Sequence, residues 1–263
     1  MRIITLLTDF GSKSGYVAQM KGVITSITPS ARIIDITHDI TPQNIREASF
    51  ILKTTTPYFP VGSVHVVVVD PGVGTERRGI VVVTRKNILV GPDNGVLMPA
   101  AHQAGDFIVY EIKNREYMLN EISKTFHGRD VFAPVAAHIL RGIPFESIGP
   151  RIEDYVDHQI WKAVFSDKEV YAIILHVDRF GNLVTNIDGG EFMEKIGFGD
   201  RIKLVIHGEE RDVRFMETYG YAEEGEAIAL IGSSGFLEIS INQGDASKEF
   251  KVKPGDHLKI SFS

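Results

Sequence analysis

Apolar and polar residues alternate in two rhythms along the first half of the chain. Ile3 to Leu7 is an apolar run that stops at Thr8-Asp9-Phe10-Gly11, the pattern of a buried strand. Val17, Met20, Ile24 and Ile27 then recur at helical spacing until Pro29. Ile33 to Ile36 predict a second strand, and Ile45, Ala48, Leu52 and Thr55 a second helix that Pro57 and Pro60 end. Further strands are predicted at 64–69, 80–84, 87–90 and 107–112, and helices near 95–104 and 130–141. Strands alternating with helices of this length predict an α/β domain with a mainly parallel central sheet, over residues 1–160.

Past Asp167 the rhythm changes. Strands are predicted at 170–177, 182–187, 201–207, 210–216, 226–231, 236–241 and 257–262, between turns rich in Gly, Asp and Asn. His207-Gly208-Glu209-Glu210 reads as a hairpin tip. Closely spaced strands without long helices predict a second, all-β domain over 168–263, a barrel or a sandwich. The boundary falls between 155 and 170.

Composition narrows the function classes. A net charge of −6 gives no basic stripe for nucleic acid. The absence of cysteine excludes disulfides, thiolate nucleophiles and Cys-ligated metals. His38, His65, His102, His127 and His138 are scattered, so no metal site is expected. No apolar run approaches the roughly 20 residues that span a bilayer, and the strand-like N-terminus lacks a signal-peptide layout. The expectation is a soluble, cytoplasmic protein with no membrane partner.

The candidate chemistry sits at turns. Val64 to Val69 is a β-branched run that ends in Asp70-Pro71-Gly72-Val73-Gly74-Thr75-Glu76-Arg77-Arg78. Ligands of open parallel sheets gather just beyond the carboxyl ends of strands, where this places a carboxylate and two guanidiniums. Asp9, before Gly11, either accepts two hydrogen bonds from a vicinal diol such as a ribose or caps the next helix. Phe126-His127-Gly128-Arg129-Asp130 enters a helix, with Asp130 as its expected N-cap. If His127 lies near Asp70 and Arg77, the carboxylate orients the imidazole and shifts its titration. Gly72-x-Gly74 is no dinucleotide fingerprint, because Arg77 holds the third glycine position. Asp178-Arg179-Phe180-Gly181-Asn182 is either an Asx turn or a pair of ligand contacts. Ser233-Ser234, followed by a strand, suits a turn that grips a carboxylate better than a nucleophile elbow.

Taken together, Thr8-Asp9-Phe10-Gly11, Asp70 to Arg77, Pro92-Asp93-Asn94-Gly95, Phe126 to Asp130, Phe180-Gly181-Asn182 and Ser233-Ser234-Gly235 to Asn242 resemble the S-adenosylmethionine hydroxide adenosyltransferases, relatives of the bacterial fluorinase and chlorinase. The resemblance implies an N-terminal α/β domain and a C-terminal β-barrel. It implies a homotrimer with active sites at subunit interfaces, S-adenosylmethionine as the substrate, no cofactor, and hydrolysis to adenosine and methionine. It makes Asp70, Arg77 and His127 the set that handles the water, and Asp9 the ribose carboxylate. It assigns Asp178 to the methionine amino group, Asn182 and the backbone near Asn242 and Gln243 to adenine, and Ser233 with Ser234 to the methionine carboxylate. Tyr219 is the aromatic against adenine. Asp70 replaces a tyrosine of the fluorinases, Gly128 a serine that contacts fluoride, and Gln43 a ligand-facing tryptophan. A carboxylate repels a halide, which favours hydroxide. The competing expectations are halide-dependent adenosyl transfer and a non-catalytic S-adenosylmethionine sensor.

Overall fold

The computed structural model describes residues 2–157 and 162–262. The chain divides into two compact units, Met1–His158 and Gln159–Ser263. The sequence-derived limit at residue 160 lies outside the described residues.

The first unit is a seven-stranded sheet with helices on both faces. Its strands are β1 (Ile3–Thr8), β2 (Arg32–Thr37), β3 (Val64–Val68), β4 (Gly79–Thr84), β5 (Ile88–Pro92), β6 (Phe107–Glu111) and β7 (Arg151–Ile152). Its helices are α1 (Tyr16–Ile27), α2 (Ile45–Thr55), α3 (Met98–Gln103) and α4 (Ala133–Arg141). β1 and β3 are buried along their whole length because they bury both faces. Ile4, Leu6, Val64, Val66 and Val68 pack with α1 and α4, while Leu7, Val67 and Val69 pack with α2 and α3.

The sheet order is β2-β1-β3-β5-β4-β6-β7. β2, β1, β3 and β5 run parallel, but β5–β4, β4–β6 and β6–β7 are antiparallel. The expected mainly parallel sheet is therefore mixed. The reason is local: only Arg85, Lys86 and Asn87 separate β4 from β5, and a connection that short closes antiparallel strands only.

The second unit has β8 (Val164–Phe165), β9 (Glu169–Val177), β10 (Leu183–Asp188), β11 (Arg201–Ile206), β12 (Glu209–Phe215), β13 (Ala227–Ile231), β14 (Phe236–Ile241) and β15 (His257–Ser261). Pairing runs β10-β14-β13-β12-β11-β15-β9 and returns to β10, which closes a seven-stranded barrel with β8 laid beside β9. The sandwich alternative is thereby set aside. One pairing, β12 with β13, is parallel. The β11–β12 hairpin turns at His207 and Gly208, both with positive φ (52° and 82°), as a two-residue primed turn requires. Two short helices, α5 (Gly189–Met193) and α6 (Ala246–Phe250), escaped the strand pattern. No helix among the described residues is long and apolar enough to cross a membrane.

His65 tests the first core. It is fully buried in β3, shares a 2.8 Å hydrogen bond with the Thr5 hydroxyl, and packs edge-on against Phe59. Burial lowers its pKa from 6.5 to about 4, so the native imidazole is neutral. The unfolded chain binds this proton first, so stability falls as pH drops through 6.5 and levels off below 4. The loss from this group is roughly 3 kcal/mol. Denaturant unfolding of His65→Gln should have a flatter stability–pH curve across that window than wild type; parallel curves refute the assignment.

Candidate active site

Strands β1 and β3 are neighbours in register, with Thr8 opposite Val68, so Asp9 and Asp70 leave the sheet at the same edge. Asp9 does not cap α1, whose N-cap is Gly15 with no side-chain bond. Instead its Oδ2 accepts the backbone N–H of Gln43 at 2.8 Å. The turn is braced behind it: Phe10 N–H donates to Thr8 Oγ1 (3.3 Å), and that hydroxyl also bonds His38 Nδ1 (2.9 Å).

The loop after Asp70 folds back so that Arg77 returns to it. Arg77 Nε donates to Asp70 Oδ1 (3.1 Å) and Nη2 to Oδ2. Nη2 also donates to His127 Nδ1 (3.1 Å), and Nη1 to the Arg78 carbonyl (2.9 Å). The arginine and aspartate side chains are only 9% and 4% exposed. A bidentate guanidinium–carboxylate pair of this kind is the strong, geometrically specific form of an ion pair. The expected convergence is therefore present, but its order is Asp70–Arg77–His127. The guanidinium, rather than Asp70, carries the hydrogen bond to the imidazole.

Two close approaches bring the pieces together. Gly74 has φ 77°, and a Cβ there would fall 2.1 Å from the Lys124 carbonyl oxygen. The 71–76 loop thus lies directly on the segment leading to His127. Gly128 presses on Val68, where a Cβ would meet methyl carbons at 3.2 Å. His127 is followed by a π-helical turn, Gly128–Phe132, before α4, a feature frequent at functional sites. Asp130 lies inside that turn and is fully buried, and it accepts the Ser123 N–H at 2.8 Å. It is not the expected N-cap; it ties the preceding loop to the helix start.

Burial pushes the Asp70 carboxyl up, while the Arg77 guanidinium and then His127 oppose it. The two donors from the fixed cation favour the ionised carboxylate against that burial. Burial, then the Arg77 charge, push the His127 imidazole below its ordinary value. A guanidinium can only donate, so Nδ1 holds the lone pair and the proton of the neutral ring sits on Nε2.

Asp9, Gln43, Asp70, Phe126 and His127 line a cavity of about 190 Å³ in this unit. Arg77 stands behind that wall rather than on it.

The barrel unit holds a separate cavity of about 730 Å³, lined among others by Asp178, Asn182, Tyr219, Ser233, Gln243 and Glu238. Asp178 accepts the N–H groups of Phe180 and Asn182 on Oδ1 and the Asn182 amide on Oδ2. The Tyr219 hydroxyl lies 3.4 Å from Ser240 Oγ. Asn242 and Ser234 are not on the wall: Asn242 donates to the Ala222 carbonyl, and the Ser234 hydroxyl is buried without a partner among the described residues. Sequence reasoning passed over Glu238. Its signal was the alternation of β14, where Leu237 and Ile239 enter the barrel core and Glu238 faces the other way. No cluster of three His, Asp or Glu side chains among the described residues is placed to hold a metal ion.

Comparison with known proteins places these features in a family. The family model described as SAM hydroxide adenosyltransferase N-terminal domain matches residues 4–149, and that of the C-terminal domain matches 172–259. The chain belongs to the SAM hydroxide adenosyltransferase family. A Methanocaldococcus jannaschii relative named (R)-S-adenosyl-L-methionine hydrolase is 40% identical over 270 residues, 99% of this chain and 96% of that protein. One of the same name from Salinispora tropica is 36% identical over 261 residues, 98% of this chain and 97% of the relative. A fluorinase from Actinoplanes sp. is more distant at 26% over 284 residues, 96% of this chain and 95% of that protein. Among solved structures, an uncharacterized conserved protein from Thermotoga maritima superimposes with a TM-score of 0.93 at 42% identity, covering 98% of this chain and 100% of that one.

The arginine-centred array should be detectable in solution. ¹⁵N shifts at pH 7.5 should put the His127 proton on Nε2, with titration below the ordinary range. Arg77→Met removes the cation and unpairs Asp70, so the His127 pKa should rise. An unchanged titration in that variant would remove Arg77 from the array.

Proposed function

We propose that the protein hydrolyses (R)-S-adenosyl-L-methionine to adenosine and L-methionine by in-line attack of water at ribose C5′. The observation that carries this reading is that Asp70 and His127, joined from behind by Arg77, share one small cavity with Asp9, in a chain whose full-length relatives bear the hydrolase name.

Methionine leaves as a neutral thioether, so the leaving group needs no acid and the reaction needs no cofactor. The demand falls on the nucleophile. Asp70 is a cavity-lining carboxylate with unengaged lone pairs, and it receives the proton as the water oxygen bonds C5′ and the C5′–S bond breaks. Arg77 holds that carboxylate in place. It also engages Nδ1 of His127, which leaves the Nε2–H to orient the water oxygen. Positive sulfonium and developing hydroxide cancel charge as they meet, which a partly dry cavity favours. Asp9 receives the ribose diol, and Asp178 the amino group of the methionine part. The Ser233-Ser234 turn takes its carboxylate, with Ser233 on the cavity wall. Asn182, Tyr219 and the backbone near Asn242 and Gln243 surround the adenine.

The same reading includes a homotrimer with active sites at subunit interfaces, acting in the cytoplasm. Phe180 supports it: the ring borders the larger cavity, yet it is 76% exposed, as an apolar surface awaiting a neighbour would be. Sedimentation should give the mass of three 29.2 kDa chains; a monomer at working concentration removes the interface assignment.

In ¹⁸O-water the adenosine 5′-oxygen should carry the label. Asp70→Asn and His127→Ala should each lower kcat by roughly 10²-fold or more, with much smaller changes in S-adenosylmethionine binding. Unlabelled adenosine rejects the mechanism, and a chloride-dependent 5′-chloro-5′-deoxyadenosine product would favour halide transfer instead. Binding without any product would leave a sensor.

A further inference from the structure

The segment that follows β2 holds the Asp9 turn from two directions. β1 and β2 pair in register as far as Leu6 opposite Asp35; β2 then takes one extra residue, so that Leu7 faces Thr37. A bulge of this kind re-aims the side chains beside it. His38 comes next, and its Nδ1 meets the Oγ1 of Thr8, the last residue of β1, at 2.9 Å. The ring is only 12% exposed, and it lines neither of the two cavities.

His38 reaches both peptides that follow Asp9. Thr8 Oγ1 accepts the Phe10 N–H at 3.3 Å and so turns its own hydrogen toward His38 Nδ1. The His38 carbonyl accepts the Gly11 N–H at 2.7 Å, at a glycine whose φ of 66° makes the turn. Behind the ring, Nε2 lies 3.1 Å from Asp35 Oδ1, an electrostatic contact rather than an in-line hydrogen bond. Asp35 is in turn fixed by Lys21 Nζ at 2.6 Å. Further along the same segment, Gln43 donates its N–H to Asp9 Oδ2 from a backbone with φ of 64°, which a residue other than glycine rarely adopts. The 38–43 segment thus grips the turn at one end and the carboxylate at the other. A buried imidazole costs more to desolvate than an aliphatic side chain of similar size, so packing alone gives no reason for a histidine here.

Resting on the reading of Asp9 as the receiver of the ribose diol, we propose that His38 is a positioning residue: it fixes the Asp9 carboxylate through Thr8 and so sets the preference for a nucleoside with both ribose hydroxyls. It acts without touching the ligand. A carboxylate held in place accepts both hydroxyls of a vicinal diol, whereas one on a loosened turn loses part of that contact. The contacts of the base stay as they are.

Adenosine and 2′,3′-dideoxyadenosine differ only in those two hydroxyls. Calorimetric titration of the intact protein with each gives an affinity ratio that reads the diol. Wild type should favour adenosine, and Asp9→Ala should abolish that preference. Thr8→Val, which removes one hydroxyl at nearly constant volume, and His38→Leu should each lower the ratio by roughly tenfold, the worth of one hydrogen bond to a charged group. Both should bind the dideoxynucleoside as wild type does, which also shows that they are folded. His38→Asn, which returns an acceptor near the place of Nδ1, should recover most of the ratio. Equal weakening of both nucleosides in Thr8→Val and His38→Leu would overturn the proposal. So would an unchanged ratio in Thr8→Val, even if His38→Leu failed to fold. If Asp9→Ala abolishes the preference while the other variants keep it, the role of His38 alone falls. If wild type shows no preference, or Asp9→Ala retains it, the assignment of Asp9 to the ribose falls and this inference with it.

Discussion

A buried guanidinium fixes the chemistry of the first unit. Arg77 has five N–H donors and no acceptor, and the structure surrounds it with a carboxylate, an imidazole nitrogen and a backbone carbonyl. Its Cζ also lies 5.4 Å from the centroid of the fully buried Phe132 ring, a cation–π contact. Because it only donates, every neighbour must present a lone pair. That one requirement selects the His127 tautomer, and with burial it pushes the imidazole pKa down. A lysine would supply the charge but not the planar fork that engages both carboxylate oxygens.

The backbone exists to deliver these partners. Neighbouring parallel strands set Asp9 and Asp70 side by side, and a glycine loop brings Arg77 back seven residues later. His127 arrives from far along the chain, seated by glycines at positions 74 and 128 that permit contacts a side chain would block. A second ion pair stands behind the first. Arg78 binds buried Asp93, and the Asp93 N–H bonds the Arg78 carbonyl, the same oxygen that receives Arg77 Nη1. The Pro92-Asp93-Asn94-Gly95 turn thus anchors the far side of the array.

Much of the fold was legible in the sequence, because apolar period follows burial directly. The β-branched run at 64–69 and the helical spacing from Val17 to Ile27 matched elements of the structure closely. Strand direction was not legible: alternation of strand and helix suggested a parallel sheet, whereas the three-residue link between β4 and β5 turns half of it antiparallel. Two-residue strands such as β7 are too short to show a period. At the site, residue types and turn signals pointed to Asp9, Asp70, Arg77 and His127, but not to which group sits in the middle. That order depends on side-chain directions over a separation of 50 residues between Arg77 and His127. Asp130 and Glu238 misled or escaped for a related reason. A carboxylate at a helix start resembles a cap, and one in mid-strand resembles a solvated face, until burial is known.

The lone parallel seam of the barrel has its own consequence. Strands that run the same way cannot be joined by a tight turn, so β12 and β13, paired only at Arg214–Phe215 with Ile228–Ala229, need a longer connection between them. That connection, residues 216–226, carries Glu217, Thr218 and Tyr219 to the rim of the larger cavity. Topology thereby separates scaffold from specificity. Rewriting residues 217–219 would remodel one side of the ligand chamber, while the Met216 N–H to Ala229 carbonyl bond still ties the start of the connection to β13.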